Sequence, residues 1–247
     1  MAGRNNDTEE AFLKNYDPSV FARPSTAVDA VIFTVFDSVL HVLTVKRANH
    51  PYQGRWSLVG GYVDIQCDND LEATARRKLA GKTGVNSPYL EQFRTIGNKD
   101  RDPRGWSITT VYFALMPSHD IVLKAGKGAS NIKWSKVDGG KVKDKLAFDH
   151  DEILRDCFER LRSKVLYTSL PIHLMPGDFT LGELQKVYEV ILNDDIDHKS
   201  FRRRILGADI LEETGEMRAD GNRPAKLYRL RNKCETHYFV RNIEGSS

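Results

Sequence analysis

The segment that decides the fold begins with Gly60-Gly61-Tyr62-Val63-Asp64 and ends with Arg77-Lys78-Leu79-Ala80-Gly81-Lys82-Thr83-Gly84-Val85. Between these ends, residues 70–83 have a helical pattern, because Leu71, Ala75 and Leu79 recur every four residues. Gly84 follows this pattern and predicts the end of the helix. The segment is therefore expected to form a glycine turn followed by an amphipathic helix.

Short apolar stretches on both sides of this segment predict the strands of a sheet. Residues 30–36 are apolar and rich in β-branched side chains, and a turn at residues 37–38 separates them from a second strand at 39–45. Further strands are expected at residues 56–59, 108–115 and 132–134, and a second amphipathic helix is expected at 149–164. This mixture of strands and helices indicates an α/β domain.

The composition of the 247-residue chain is that of an ordinary globular protein, with 40% apolar residues, 29% charged residues and a formal net charge of +3. No stretch approaches the roughly 18 consecutive apolar residues of a membrane span, and the polar residues 1–10 do not predict a secretory signal. Cys67, Cys157 and Cys234 are far apart, so neither a disulfide framework nor a metal-binding spacing is expected. These features exclude the membrane, collagenous, disulfide-rich secreted and disordered classes and favour a reducing cytoplasm.

The glycine-helix segment has a family resemblance that rests on Gly61, Arg77, Leu79, Gly84 and Val85. It resembles the Nudix box, G-x5-E-x7-R-E-U-x-E-E-x-G-U with U a bulky aliphatic residue, with two extra residues before Arg77. In that family, glutamates on one helix face hold divalent ions against a diphosphate. The resemblance implies an α/β Nudix-like sandwich in which a mixed sheet lies between helices. The alternative is a chance combination of two glycines and an amphipathic helix.

The three helical glutamates of the box are replaced here by Lys78, Gly81 and Lys82. Hard divalent cations need oxygen ligands, which ammonium groups and a glycine do not supply. One positive charge about 5 Å from a divalent cation costs roughly 7 kcal/mol at an effective dielectric constant of about 20. The nearby acids, Asp68, Asp70 and Glu72, are not expected to offset this cost. We therefore expect no bound metal, no catalytic residues and no enzyme, with slow residual hydrolysis as the open alternative.

Other motifs narrow the resemblance. The loop Asp102-Pro103-Arg104-Gly105 and the run Leu146-Ala147-Phe148-Asp149-His150 resemble Nudix hydrolases that act on ADP-ribose. Three N-terminal motifs resemble a Nudix-related group of bacterial regulators of NAD metabolism: Tyr16-Asp17-Pro18, Arg23-Pro24-Ser25 and Val28-Asp29-Ala30-Val31. The resemblance spans residues 16–241 and implies a member of that group of transcriptional repressors.

A diphosphate can be held without a metal, by arginine forks and by backbone N–H groups near glycine turns. The candidate ligand-binding residues combine charged side chains, glycines and aromatic stacking surfaces: Arg47, Trp56, Gly60, Gly61, Arg101, Asp102, Arg104, Trp106, Phe148 and His150. The resemblance, rather than a local pattern, places His150 at the pocket. The alternatives are core packing for the aromatic residues, a solvated loop around the arginines and a simple first-turn position for His150.

The chain changes character after the second amphipathic helix. Residues 168–177 contain prolines and a glycine without a clean period, and predict a short linker or the start of a second domain. Residues 166–198 carry one basic residue against six acidic ones, whereas residues 199–241 carry eleven basic residues against six acidic ones. This asymmetry predicts a C-terminal domain with a basic surface.

The C-terminal domain is predicted to be a winged helix-turn-helix. Thr180 and Glu183 form a capping-box pattern before one helix, and a short turn separates it from a second, basic helix at residues 198–206. A basic turn before a strand at residues 225–230 predicts a wing. The candidate DNA-binding residues are Lys199, Ser200, Arg202, Arg203 and Arg204 in the helix, and Arg223 and Lys226 in the wing. A solvated helix face without a DNA partner is the alternative.

Together these features predict a two-domain transcriptional regulator. Its expected parts are an N-terminal arm at residues 1–24, a Nudix-like sensing domain at 25–165 and a winged helix domain at 166–247. The resemblance implies a repressor of NAD biosynthesis or salvage genes that is released by ADP-ribose or a related NAD-derived nucleotide. Binding to double-stranded operator DNA as a homodimer is expected, because one winged helix covers one half-site. The rival interpretations are an active ADP-ribose or nucleotide-sugar pyrophosphatase and a pure interaction module, and neither a cofactor nor a membrane partner is expected.

Overall fold

The computed structural model describes residues 8–84, 89–117, 123, 128–220, 223–231 and 236–240. The N-terminal part contains helices α1 (Glu9–Asn15), α2 (Leu71–Thr83) and α3 (His150–Val165), and strands β1 (Ser25–Phe36), β2 (Val39–Arg47), β3 (Trp56–Ser57), β4 (Val59–Tyr62), β5 (Tyr89–Asn98), β6 (Ser107–Leu115) and β7 (Ala129–Lys136). The C-terminal part contains α4 (Leu181–Leu192), α5 (His198–Gly207), β8 (Leu211–Asp220) and β9 (Arg223–Leu230). Within the described part of the chain, no helix is long and apolar enough to cross a membrane.

The first seven strands form one mixed sheet around β1. On one edge β1 runs parallel to β6, and β6 pairs with the antiparallel strand β5. On its other edge β1 pairs with β4 through its first half and with β2 through its second half. Strand β2 also pairs with β3 and β7. The glycines of β4 therefore lie directly beside the first half of β1.

The sheet lies between α2 and α3. Successive side chains of β1 point to opposite faces, so neighbouring residues of this strand pack against different helices. Val31 and Phe33 are buried in the larger apolar core together with Leu154 of α3. Ile32 is buried in a smaller core on the opposite face together with Leu79 of α2. The prediction of a Nudix-like α/β sandwich, with a mixed sheet between helices, is therefore confirmed.

Helix α2 begins and ends where the sequence predicts. Asp70 caps its first turn by accepting a hydrogen bond from the Ala73 N–H at 2.7 Å. Gly84 ends the helix with a left-handed φ of 73°, and its N–H donates to the Ala80 carbonyl oxygen at 2.8 Å. Glycine is favoured there because it has no Cβ to oppose this conformation. Val85, the last position of the box, lies outside the described residues.

The proline-containing segment at residues 168–177 is a packed junction rather than an exposed connection. It contains a 3-10 helix, Leu170–Leu174, in which His173 is partly buried and the other residues are buried. These side chains belong to the larger core, which runs from the sheet through α3 and α4 to Tyr228 of β9. The Tyr188 hydroxyl of α4 also donates to the Thr168 carbonyl oxygen at 2.9 Å. The two halves of the chain therefore share one apolar core.

The C-terminal elements form the predicted winged helix-turn-helix. The capping box of α4 is present, because Thr180 Oγ1 accepts from the Glu183 N–H at 3.1 Å and the Glu183 carboxylate accepts from the Thr180 N–H at 2.7 Å. Buried Tyr188 of α4 and Phe201 of α5 meet edge to face, with ring centroids 5.2 Å apart. Strands β8 and β9 pair antiparallel, and residues 221–222 between them lie outside the described residues. This fold prediction is confirmed.

Three strand predictions differ from the structure. Strand β5 is not indicated by the sequence, because its residues are partly exposed and lack a regular apolar alternation. Strand β8 extends from Leu211 to Asp220, and the sequence does not indicate a strand of this length because most of its described side chains are exposed. The single strand expected at 56–59 is two short strands interrupted at Leu58. Pairing with a neighbouring strand, rather than local hydrophobicity, determines β5 and the outer part of β8.

Candidate ligand site and nucleic-acid interface

A cavity of about 400 Å³ opens where β1, β2 and β4 meet the loop before β6 and the first turn of α3. It brings together most of the residues that the sequence indicates for ligand binding: Arg47, Gly60, Gly61, Arg101, Asp102, Arg104, Phe148 and His150. Asp29 of β1 and Lys82 of α2 also line the cavity, and the sequence does not indicate either as a ligand-binding residue.

The two candidate tryptophans lie elsewhere. The Trp56 ring packs against the larger core and lies under Lys133, whose Nζ is 4.1 Å from the ring centroid. Trp106 is 51% exposed, and its ring adjoins Gly97. Neither indole is among the described residues that line the cavity. A stacking role for either tryptophan stays a prediction.

Phe148 provides the aromatic surface of the cavity. Its ring lies 5.3 Å from the His150 ring, centroid to centroid, and the guanidinium carbon of Arg47 lies 4.7 Å from its centroid. Arg47 Nε also donates to the Pro51 carbonyl oxygen at 2.7 Å. Burial lowers the pKa of Arg47 below its ordinary value. The cavity thus offers an aromatic face beside a partly desolvated cation, which suits a nucleotide.

The glycine pair of β4 allows three chain segments to approach closely. A Cβ on Gly60 would lie 2.3 Å from Asp29 Oδ1 and 2.6 Å from the Val28 carbonyl oxygen, so a larger residue does not fit. Gly61 has a φ of 151°, and a Cβ there would lie 2.9 Å from Lys78 Nζ. The two glycines therefore bring the backbone of β4 against β1 on one side and against a lysine of α2 on the other.

Arg101 is held by two carboxylates of the protein itself. Its Nε and Nη2 groups donate to the Asp149 carboxylate, both at 3.0 Å. Its Nη2 group also lies 3.3 Å from Asp29 Oδ2, and the side chain is only 6% exposed. Asp149 and Asp29 are 48 and 72 positions away along the chain, so no local pattern indicates these contacts. Arg101 is therefore a buried structural cation at the edge of the cavity.

His150 is buried in the first turn of α3. The Leu58 N–H donates to its Nδ1 at 2.9 Å, which assigns the ring proton to Nε2. Nε2 lies 3.7 Å from Asp29 Oδ1. Burial lowers the pKa of His150 below its ordinary value and favours the neutral ring. The side chain is thus a neutral N–H donor at the cavity wall.

Arg104 and Asp102 form a second pair, and this one reaches solvent. The Arg104 Nε and Nη2 groups donate to the Asp102 carboxylate at 3.0 and 2.7 Å. The Arg104 guanidinium carbon also lies 5.2 Å from the centroid of the Tyr62 ring. Nearly half of the side chain is exposed, in contrast to Arg101. Because it is more solvated, Arg104 is better placed than Arg101 to exchange its carboxylate partner for a phosphate.

Lys78, Gly81 and Lys82, at the positions of the Nudix-box glutamates, lie in the last turns of α2, with Lys78 beside Gly61. Lys78 and Lys82 are one turn apart on α2, so they share a helix face. Burial lowers the pKa of both lysines, and the charge of Lys78 lowers the pKa of Lys82 further. A Cβ on Gly81 would meet no atom within 4 Å. The face therefore carries two partly buried ammonium groups and a gap.

The acids near these positions have structural partners. Asp68 accepts a hydrogen bond from Arg77 Nε at 2.6 Å, and this interaction holds the pKa of Asp68 well below its usual range. Asp70 caps α2, and Glu72 pairs with Arg76 at 2.7 Å. Among the residues that the structure describes, no group of three or more His, Cys, Asp or Glu side chains is arranged for a metal. The side chains present do not fit the divalent cation of the Nudix family.

Helix α5 presents the second candidate site. Its exposed cations are Lys199, Arg202 and Arg203, its partly buried flanking residues are Ser200 and Arg204, and its buried residues are Phe201 and Ile205. Asp197 caps the helix by accepting a hydrogen bond from the Ser200 N–H at 2.9 Å. The cap and the buried pair hold the helix against the core, so its cationic side faces outward.

The basic residues of the wing differ from those of α5. Lys226 pairs with Glu213 at 2.7 Å, and Arg229 pairs with Asp178 at 3.0 Å. Arg223 begins β9, but its side chain lies outside what the structure describes. For the three exposed cations of α5, no carboxylate pair occurs within the described ranges. Helix α5 therefore carries the positive charge that is more available to a phosphate backbone.

Both parts of the chain match known families. The NUDIX domain matches residues 25–157, and the NrtR DNA-binding winged helix domain matches residues 171–230. The ADPR responsive transcriptional repressor NtrR of Acinetobacter baylyi is 43% identical over 240 residues, which cover 97% of this chain and 95% of that protein. An ADP-ribose pyrophosphatase of Methanocaldococcus jannaschii is 31% identical over 147 residues, which cover 58% of this chain and 78% of the enzyme.

Solved structures share this architecture. The NrtR protein of Shewanella oneidensis in complex with a 27mer DNA superposes with a TM-score of 0.81 at 45% identity, over 88% of this chain and 98% of that one. Its NUDIX domain in complex with ADP ribose superposes with a TM-score of 0.56 at 43% identity, over 63% of this chain and 99% of that one. The fold and the two sites define a Nudix-like domain joined to a DNA-binding winged helix. The chain belongs to the NrtR family of NUDIX-domain transcriptional regulators.

Proposed function

We propose that this chain is an ADP-ribose-responsive transcriptional repressor of NAD biosynthesis or salvage genes. The observation that carries the proposal is the presence of two complementary sites in one chain: a cavity lined by cations and Phe148, and the exposed cationic side of α5. The Acinetobacter relative is named as an ADPR responsive repressor, and the Shewanella structures contain DNA and ADP ribose. These relatives support the same pair of ligands here.

In this proposal, α5 enters the major groove of the operator. Lys199, Arg202 and Arg203 supply phosphate contacts and base readout, and the N-terminal residue Ser200 lies where helices of this motif reach base edges. A homodimer places two such helices on half-sites about 34–36 Å apart or a multiple of that distance. Arg223 and Lys226 of the wing are proposed as additional phosphate contacts.

Helix α3 is the proposed connection between the two sites. Its first residue, His150, lies at the cavity, and Arg101 contacts the preceding residue, Asp149. In its last turn, Lys164 is buried and pairs with Glu91 of β5. A ligand acts on DNA binding only if it prefers one of two arrangements. A ligand that contacts Phe148 and His150 in the cavity would act at one end of a helix whose other end packs against α4 in the larger core.

The test is a gel-shift titration of full-length protein on DNA upstream of NAD-metabolism genes, with and without ADP-ribose. We expect ADP-ribose to weaken the DNA complex. Because coupling is reciprocal, saturating operator should weaken ADP-ribose binding by the same factor in calorimetry. Equal ADP-ribose affinities with and without operator would contradict the proposed response.

An active pyrophosphatase is the second candidate, because the Methanocaldococcus relative carries that name. We propose instead that this chain is not an enzyme, because Lys78, Gly81 and Lys82 stand where the family places its metal ligands. Incubation with ADP-ribose and Mg²⁺ should therefore yield no AMP at an ordinary enzymatic rate. Turnover at about 1 per second or faster would overturn this part of the proposal.

A further inference from the structure

Two of the cavity arginines, Arg101 and Arg104, are already paired with carboxylates of the protein. Among the described residues, the charged lining consists of Arg47, Lys82, Arg101 and Arg104 against Asp29 and Asp102. Arg101 is shared between Asp149 and Asp29, and Arg104 is bidentate on Asp102. A bound diphosphate has to compete with these carboxylates for both arginines. Further positive charge near the glycine turn would strengthen the attraction for a diphosphate.

That charge lies on α2. Lys82 lines the cavity directly. Lys78 lies one helical turn before it, and its Nζ is 2.9 Å from the position that a Cβ on Gly61 would take. The two ammonium groups therefore flank the glycine turn, with Lys82 at the cavity surface and Lys78 behind Gly61. Their mutual repulsion and partial burial are relieved when an anion binds beside them.

We propose that this lysine pair takes the place of the divalent cation in holding a diphosphate, with Lys82 in contact with the phosphates and Lys78 adding positive potential through Gly61. The inference rests on the proposed function, which supplies the diphosphate-bearing ligand. It assigns a binding role to side chains that would repel a metal in a hydrolase. Its direct consequence is that ADP-ribose binds equally well with and without Mg²⁺.

The test is calorimetric titration of full-length protein with ADP-ribose, in EDTA and in Mg²⁺. Wild-type affinities in the two buffers should agree within about twofold. Lys82→Gln should bind about 10-fold to 100-fold more weakly, because a hydrogen bond to a charged group is lost. Lys82→Arg should retain most of the affinity. Arg76→Gln is the matched control, because it removes one positive charge from the same helix at a partly exposed residue that pairs with Glu72.

A reversal variant tests the same idea from the other side. The triple substitution Lys78→Glu, Gly81→Glu and Lys82→Glu restores the carboxylates of the Nudix box, and Gly81 has open space for the new side chain. This variant should lose ADP-ribose binding in EDTA and regain it in Mg²⁺. Operator binding by the gel-shift assay checks that each variant is folded, because α5 lies in the other domain.

The outcomes separate the two claims. Wild-type protein that binds operator but no ADP-ribose in either buffer would overturn the proposed ligand and this inference with it. If wild-type protein bound ADP-ribose only in the presence of Mg²⁺, the proposed role of the lysine pair would be wrong and the proposed ligand would stand. Equal affinities of wild type and Lys82→Gln would do the same.

Discussion

At the scale of single residues, Arg101 and Arg104 show how two arginines of one loop take different roles. Arg101 is enclosed by Asp29 and Asp149, whereas Arg104 pairs only with Asp102 among the described residues and is half exposed. Removing a buried cation leaves carboxylates uncompensated, and this costs far more than removing an exposed one. The sequence indicates both arginines as phosphate partners, because loop spacing does not report burial.

We expect Arg101→Ala to lower the free energy of unfolding by about 3–5 kcal/mol, the cost of breaking a buried ion pair. Arg104→Ala should lower it by about 1 kcal/mol or less. Urea denaturation at neutral pH measures both values. Equal losses in the two variants would show that Arg101 is not the buried structural cation described above.

His173 makes stability depend on pH. It stacks on Tyr89 of β5 with ring centroids 4.6 Å apart, and burial lowers its pKa to about 4. The unfolded chain, with a histidine pKa of about 6.5, takes up the proton first as the pH falls. The stability contributed by neutral His173 is therefore full above pH 6.5 and is lost progressively towards pH 4.

We expect wild-type protein to lose about 2 kcal/mol more stability than His173→Phe between pH 7.5 and pH 5. Phenylalanine keeps an aromatic ring against Tyr89 but has no proton to take up. Urea denaturation at the two pH values gives the difference. The same pH dependence in both proteins would mean that His173 does not titrate as its burial implies.

At the scale of elements, α5 and the wing make a matched comparison. Arg203 is an exposed cation of α5, whereas Arg229 of β9 is already paired with Asp178. We expect Arg203→Ala to weaken operator binding by about 10-fold to 100-fold and Arg229→Ala by about threefold or less. ADP-ribose affinity should stay unchanged in both variants. Fluorescence anisotropy at one fixed salt concentration measures DNA binding, because phosphate contacts are salt-dependent.

Two other results would count against this assignment. Similar losses for Arg203→Ala and Arg229→Ala would mean that α5 is not the principal DNA-reading element. A parallel loss of ADP-ribose affinity in Arg203→Ala would mean that the two sites are not separable.

The elements that could be predicted are those with local signals. The Thr180 capping box and the helix end at Gly84 each depend on residues within a few positions, and both are present. Strand β5 could not be predicted, because it is formed by pairing with β6 and not by its own apolar pattern. The same is true of the outer part of β8, which is held by β9.

At the scale of the whole molecule, the sequence indicates which residues gather at the cavity but not how they are engaged. Family motifs placed Phe148 and His150 at one site, and the structure brings both to the cavity lining. The Arg101–Asp149 pair and the contact of Leu58 with His150 join distant segments, so they depend on the folded chain. The location of Lys82 at the cavity likewise needs the packing of α2 against β4, which no spacing reveals.

Because α3 runs from the cavity to the larger core beside α4, a small change at the cavity can produce a larger displacement near the winged helix. The helix has 16 residues and therefore spans about 24 Å at 1.5 Å per residue. In the proposed response, it would move as a rigid body about its end at the cavity. A tilt of about 5° about that end moves its far end by about 2 Å, comparable to helix shifts in known molecular switches. In the proposed homodimer, the same shift in both copies of α3 would move both α5 helices out of register with their half-sites on the DNA.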